Sequence, residues 1–215
     1  MPLVDSLTRA AADAGGSVLA TGTRVLGALR PAAKPLHPAG RVVAATLHRS
    51  GLGTGVAFLD EAGDLQVVVR ESRAIGLPEA LPDIHGLAIR VTNSDGTPGD
   101  LLLATTGWGR LTRFLLTATR TPYGRPMTTL LPYRTDAGPV LLGARSDSPG
   151  VVRLACAVGT APWRQFGELL VSSEDAPDQA ISFDPVLNQV AGLDQYPAVL
   201  RLREPAYSSA RRSRS

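Results

Sequence analysis

From residue 41 to residue 183 the chain is a succession of short β-prone runs separated by glycine-bearing turns, and this spacing limits its fold more than any other feature. Residues 41–47, 54–59 and 65–70 read as strands, with turns at 50–53 and 60–64 between them. Residues 85–91 and 100–105 follow, joined by Asn93-Ser94-Asp95-Gly96, a hairpin-type turn. Residues 140–143, 151–158, 168–172 and 180–183 complete the set. Roughly eight or nine strands with few helices between them predict an antiparallel barrel, not a parallel sheet.

Helices are expected at the flanks. Apolar residues recur at loosely helical spacing over residues 4–29, and Gly15-Gly16 divides them into two short helices or one broken helix. Pro31 and Pro35 then force an extended segment that carries Lys34 and His37. Residues 108–120 predict a helix, with Leu111, Leu115 and Ala118 on one side and Arg110 and Arg113 on the other. Residues 193–203 and the tail read as extended or helical. No repeat and no low-complexity linker interrupts the chain. The expectation is a helical extension over residues 1–33 and one barrel domain over residues 34–215, an α+β fold that is mainly β.

Composition narrows the function classes. An apolar share of 44% over 215 residues supports a substantial core. A mean hydropathy of +0.06 argues against a membrane protein. The net charge of +3 gathers in the last residues as a basic tail, so no nucleic-acid partner is expected. The single cysteine, Cys156, lies in an apolar run and reads as a buried inert thiol. It allows no disulfide within the chain, which suits the cytoplasm as the expected location.

One constellation carries chemistry. Arg203 stands four residues before Tyr207, which places both on one face of a helix. A phenol ionises only near pH ~10, but a guanidinium beside it favours the phenolate, and a ferric ion favours it more strongly. Taken alone, the pair equally describes a solvated C-terminal helix.

Several stretches, taken in order, resemble the haem catalase superfamily. These are Lys34-Pro35-Leu36-His37, Val69-Arg70-Glu71-Ser72-Arg73, Asp83-Ile84-His85-Gly86-Leu87-Ala88, Asp100-Leu101-Leu102-Leu103, Phe183-Asp184-Pro185, and Arg203 to Tyr207 with Arg212 and Arg214 beyond. The resemblance covers roughly residues 34–214, without the wrapping domain and the C-terminal helical domain of full-length catalases. It implies a catalase-like antiparallel β-barrel with flanking helices that binds haem b. Tyr207 would be the iron ligand and Arg203 would keep it ionised. His37 would move a proton between the peroxide oxygens, with Ser72 fixing its tautomer. Lys34, Arg70, Arg212 and Arg214 would belong to the basic set that meets the haem propionates.

The departures from the family shape the expected activity. Ala104-Thr105-Thr106 stand where the family has its distal Asn, so Thr105 offers only a hydroxyl, and Glu71 replaces the usual distal Phe. Fast disproportionation needs a second peroxide held in place, and peroxidase chemistry needs less. The expected activity is therefore a haem peroxidase that reduces hydrogen peroxide or organic hydroperoxides with a small-molecule reductant, with low or no catalase activity. The alternatives are a hydroperoxide-rearranging enzyme resembling allene oxide synthase and a non-catalytic haem-binding or haem-sensing protein. The parts that interlock catalase tetramers are missing, which leaves a homodimer as the expected assembly. His85 occupies a family Arg position and reads as structural, His48 as solvated, and Trp108 and Trp163 as core or rim aromatics.

Overall fold

The computed structural model describes residues 40–75, 77, 78, 80–175 and 181–212. Ten strands run in the order β1 (Arg41–Arg49), β2 (Gly63–Arg73), β3 (His85–Thr92), β4 (Pro98–Thr105), β5 (Pro126–Thr128), β6 (Tyr133–Thr135), β7 (Gly138–Ser148), β8 (Val151–Val158), β9 (Arg164–Asp175) and β10 (Asp194–Gln195). Every pairing is antiparallel, and β7 bonds to β8 as well as to β5 and β6. This closes β1, β2, β3, β4, β5, β7, β8 and β9 into an eight-stranded barrel, with β6 and β10 attached beside the start of β7. Closure leaves these strands without a free edge.

Alternation fills the interior. Val43, Ala45 and Leu47 of β1, Val67 and Val69 of β2, Leu87, Ile89 and Val91 of β3, and Leu101 and Leu103 of β4 point inward together. Val140, Leu142 and Ala144 of β7 meet Val152, Leu154 and Cys156 of β8 from the far wall. The Asn93–Gly96 turn forms as expected: Asn93 O accepts from Gly96 N at 2.9 Å, and Gly96 takes the positive φ of 82° that the turn requires. Burial pushes the Cys156 thiol up to about 11, so the residue is the inert apolar filler expected of it. Among the described residues no helix is long and apolar enough to cross a membrane.

Residues 54–59 form no strand. Thr54 N and Gly55 N both donate to the Asp60 carboxylate at 2.6 Å, which winds the segment into a single helical turn, α1 (Ala57–Asp60). These bonds and that of the Thr54 hydroxyl hold the Asp60 carboxyl below its usual range, with burial opposing them. Phe58 and Leu59 of the turn are buried, and Phe58 meets Phe166 edge-on with ring centres 5.8 Å apart. The turn plugs the barrel end at which β1 finishes: Arg49 donates to Phe58 O at 3.3 Å.

Residues 108–120 form no α-helix either. Only Thr112–Phe114 make a short 3₁₀ turn, and Leu111 and Leu115 are 73% and 48% exposed, on the outside of the loop. Threonine side chains win here by binding nearby backbone: Thr112 Oγ1 accepts from Gly109 N at 3.0 Å, and Thr119 Oγ1 donates to Thr121 O at 2.6 Å. The loop is anchored by Trp108 and Trp163, which stack at 4.2 Å, with the Arg113 guanidinium 4.4 Å from the Trp163 ring. They lie against Gly143, where an added Cβ would come within 2.7 Å of Trp108. These tryptophans are rim aromatics. Residues 181–183 are irregular instead of a strand, and β5 and β6 are strands that were not expected. The expected helices of residues 4–29 and the boundary near residue 33 lie outside the described residues.

Two tests follow from the packing. Ile89→Ala should lower stability by about 2–5 kcal/mol, read as a shifted denaturant midpoint with little change in slope. Cys156 should resist alkylation in the folded chain and react once the chain is unfolded in urea; equal rates in both states would contradict its burial.

Candidate functional site

The last helix, α2 (Pro197–Arg212), opens on a proline, whose missing N–H costs nothing at a helix start. Val199, Arg203, Tyr207 and Arg211 recur every fourth residue and form its inner stripe, while Arg201, Pro205 and Ala206 are exposed. The stripe packs against a polar framework centred on Asp100, which is buried on the outer face of β4.

Register creates that framework. Counting outward from the 93–97 connection pairs Arg90 with Asp100 across β3 and β4, and the guanidinium grips the carboxylate twice, at 2.8 and 2.7 Å. Asp100 also accepts from Asp184 N at 2.7 Å and Asn188 Nδ2 at 2.8 Å, and Arg90 donates to Ser182 O at 2.6 Å. Residues 182–188 are thereby fastened to the barrel wall. Helix α2 is then fastened to this segment and to β10. Arg211 donates to Asp184 at 2.6 Å and also binds Glu204, while Arg203 donates to Gln195 Oε1 at 3.1 Å.

Tyr207 sits within this arrangement, and its phenol oxygen makes no hydrogen bond among the described residues. Burial raises its pKa, the Arg203 charge opposes that rise, and Asp184 and Asp100 add to it. Arg203 therefore does not ionise this phenol unaided; desolvation and two carboxylates outweigh one guanidinium. A second phenol shares the same arginine. Tyr133 on β6 is buried and its oxygen has no well-aligned partner; burial raises its pKa and Arg203 opposes the rise.

The other expected residues separate into groups. Arg70 and Ser72 alternate with the inward Val67 and Val69, so they face outward, on the same side of the sheet as Arg90 and Asp100. Ser72 lies over Gly86, where an added Cβ would come within 2.9 Å of its oxygen, and Arg70 lies across Gly40, with the corresponding distance 2.5 Å. Thr105 is on the opposite side of the sheet. It is fully buried; its hydroxyl donates to Thr117 O at 2.7 Å and accepts from His85 N at 3.2 Å. Arg212 is exposed on the last turn of α2, and the neighbouring Arg211 turns inward instead. Lys34, His37 and Arg214 lie outside the described residues. Buried His85 is held by Thr119 O at 3.0 Å, a structural role, and half-exposed His48 binds Asp64.

No protein-family model matches the sequence, and no curated protein matches it. A solved bacterial catalase superposes with a TM-score of 0.58 at 13% identity, over 88% of this chain and 59% of its own. A fungal catalase does so with the same TM-score and identity, over 88% of this chain and 61% of its own.

The fold is catalase-like.

The chain spans about three fifths of the length of those catalases. In this catalase-like barrel, no group of three or more His, Cys, Asp or Glu side chains among the described residues is placed to hold a metal ion. The Tyr207 oxygen makes no hydrogen bond among the described residues, and its helix carries Arg203 one turn earlier. Arg90, Asp100, Asn188, Tyr133 and Arg211 were not anticipated. The first two flank a recognised hairpin turn, three residues before Asn93 and four after Gly96, and only the observed register brings them opposite.

Both buried phenols keep their protons above the range of a free tyrosine, so the folded chain retains protons that the unfolded chain releases above about pH 10. Stability should fall as pH rises past about 10, and Tyr207→Phe and Tyr133→Phe should each flatten that fall in urea midpoints measured from pH 9 to 11. Asp100→Ala, which strands Arg90 in a largely buried position, should cost about 3–5 kcal/mol in the same assay.

Proposed function

We propose that this chain is a haem protein with peroxidase activity, in which Tyr207 ligates the iron from the inner stripe of α2. The observation that carries the proposal is the unspent phenol oxygen of Tyr207, next to Arg203, on a helix fastened to the wall of a catalase-like barrel. Haem would supply the chemistry of peroxide O–O cleavage. The chain would supply ligation, orientation and proton handling. Tyr207 would hold the ferric ion as a phenolate, and Arg203 would favour that charge against Asp184 and Asp100. Arg70, with Lys34 and Arg214, would bind the propionates. His37 would take a proton from one peroxide oxygen and return it to the other, and the outward hydroxyl of Ser72, which has no partner among the described residues, would hold its ring.

Thr105 does not take the place of a distal amide in this scheme. Its proton is committed to Thr117 O within the fold, which supports one-peroxide chemistry with an external reductant over rapid disproportionation. The same commitment favours a second reading, haem binding without turnover.

Purified protein loaded with haemin tests both readings. A high-spin ferric spectrum of a tyrosine-ligated haem that is lost in Tyr207→Phe is expected; an unchanged spectrum in that variant rules out this ligand. Oxidation of a small reductant by hydrogen peroxide should fall at least about a hundredfold in His37→Ala, the usual scale of a general acid–base contribution. A bound haem with no turnover in the unaltered protein would select the second reading.

A further inference from the structure

The two ends of the barrel differ. Helix α1 plugs one with Phe58 and Leu59. At the other, where β1 begins and β2 ends, a cavity of about 240 Å³ opens inside the wall. Its floor is apolar, made by Leu87, Met127, Ala144 and Val152, all buried inward residues of the surrounding strands. Among the described residues its rim is cationic: Arg41, Arg73, Arg125 and Arg145 line it, with Glu71 as the one carboxylate.

The charges at this rim do not cancel. Arg73 is committed to the loop below, with Nε 3.5 Å from Asp83 and Nη2 donating to Leu81 O at 3.1 Å. Arg145 shares one carboxylate, Asp147, with Arg153, at 3.3 and 2.7 Å, so a single negative charge serves two guanidiniums. The exposed Arg125 side chain makes no ion pair among the described residues. An apolar pocket with a positive mouth accepts an apolar chain that ends in an anion: burial of the chain drives entry, and charge-assisted hydrogen bonds hold the head at the rim. The cavity of about 240 Å³ has room for roughly eight non-hydrogen atoms, taking about 30 Å³ for each water-sized unit.

We propose that the open end of the barrel binds a medium-chain carboxylate, tail inward and head among the rim arginines. This site lies inside the barrel and the Tyr207 cluster lies on its outer wall, so neither assignment depends on the other.

Calorimetric titration of the full chain with octanoate, octylammonium and inorganic phosphate tests the site. Saturable octanoate binding is expected, without comparable binding of octylammonium or phosphate. The doubly substituted Arg125→Glu, Arg145→Glu protein should bind octanoate at least about tenfold more weakly, consistent with the loss of a charge-assisted contact. Glu71→Gln should bind it more tightly. Both changes are at exposed side chains, and circular dichroism will show that the fold is kept. Ala144→Phe, which fills the cavity, should abolish binding. Octylammonium binding as tight as octanoate would overturn the proposal, as would phosphate binding that the rim variants weaken equally, or octanoate affinity indifferent to those variants.

Discussion

The buried grip of Arg90 on Asp100 is the interaction on which the outer architecture rests. Neither residue contributes to the barrel interior, and the sheet needs neither for closure. Asp100 nevertheless accepts from Arg90, from the backbone of Asp184 and from Asn188, so one carboxylate aligns a strand pair with an irregular segment that has little secondary structure of its own. Such a pair is costly to desolvate and is retained only where its remaining lone pairs are satisfied, a condition met here. Everything farther out, including β10 and helix α2, is positioned relative to this anchor through Asp184 and Gln195.

The barrel itself depends on a simpler rule. Inward positions along the middle of the closing strands are aliphatic or sulfur-bearing nearly throughout, and outward positions mix polar, small and aliphatic side chains. That alternation made the long strands legible: 151–158 was expected with the observed limits, and 85–91 within a residue. Short strands escaped because three residues carry too little pattern, as with Pro126–Thr128 and Tyr133–Thr135. The stretch 108–120 misled for the opposite reason. Its leucines recur at helical spacing, yet Gly107, Gly109 and four nearby threonines offer the backbone better local bonds than a helix would. Thr54 and Asp60 overrode a strand-like run in the same way.

The candidate site was partly legible. Spacing alone placed Arg203 and Tyr207 on one helix face; that Arg70 and Ser72 share a sheet face emerged only with the strand, which runs on to Arg73 beyond the expected residue 70. What sequence did not convey is the balance of charge around the phenol. Asp100 and Asp184 lie far from Tyr207 along the chain and meet it only through the folded framework, where with burial they oppose Arg203. Pattern finds which residues share an element; long-range register decides which charges share a site.

The sharing of Arg203 between two phenols has a consequence of its own. The arginine's charge opposes the rise that burial imposes on both, and a charge on Tyr207 raises Tyr133 further. A guanidinium turned toward one phenolate is partly withdrawn from the other, so the two side chains compete for one counter-charge.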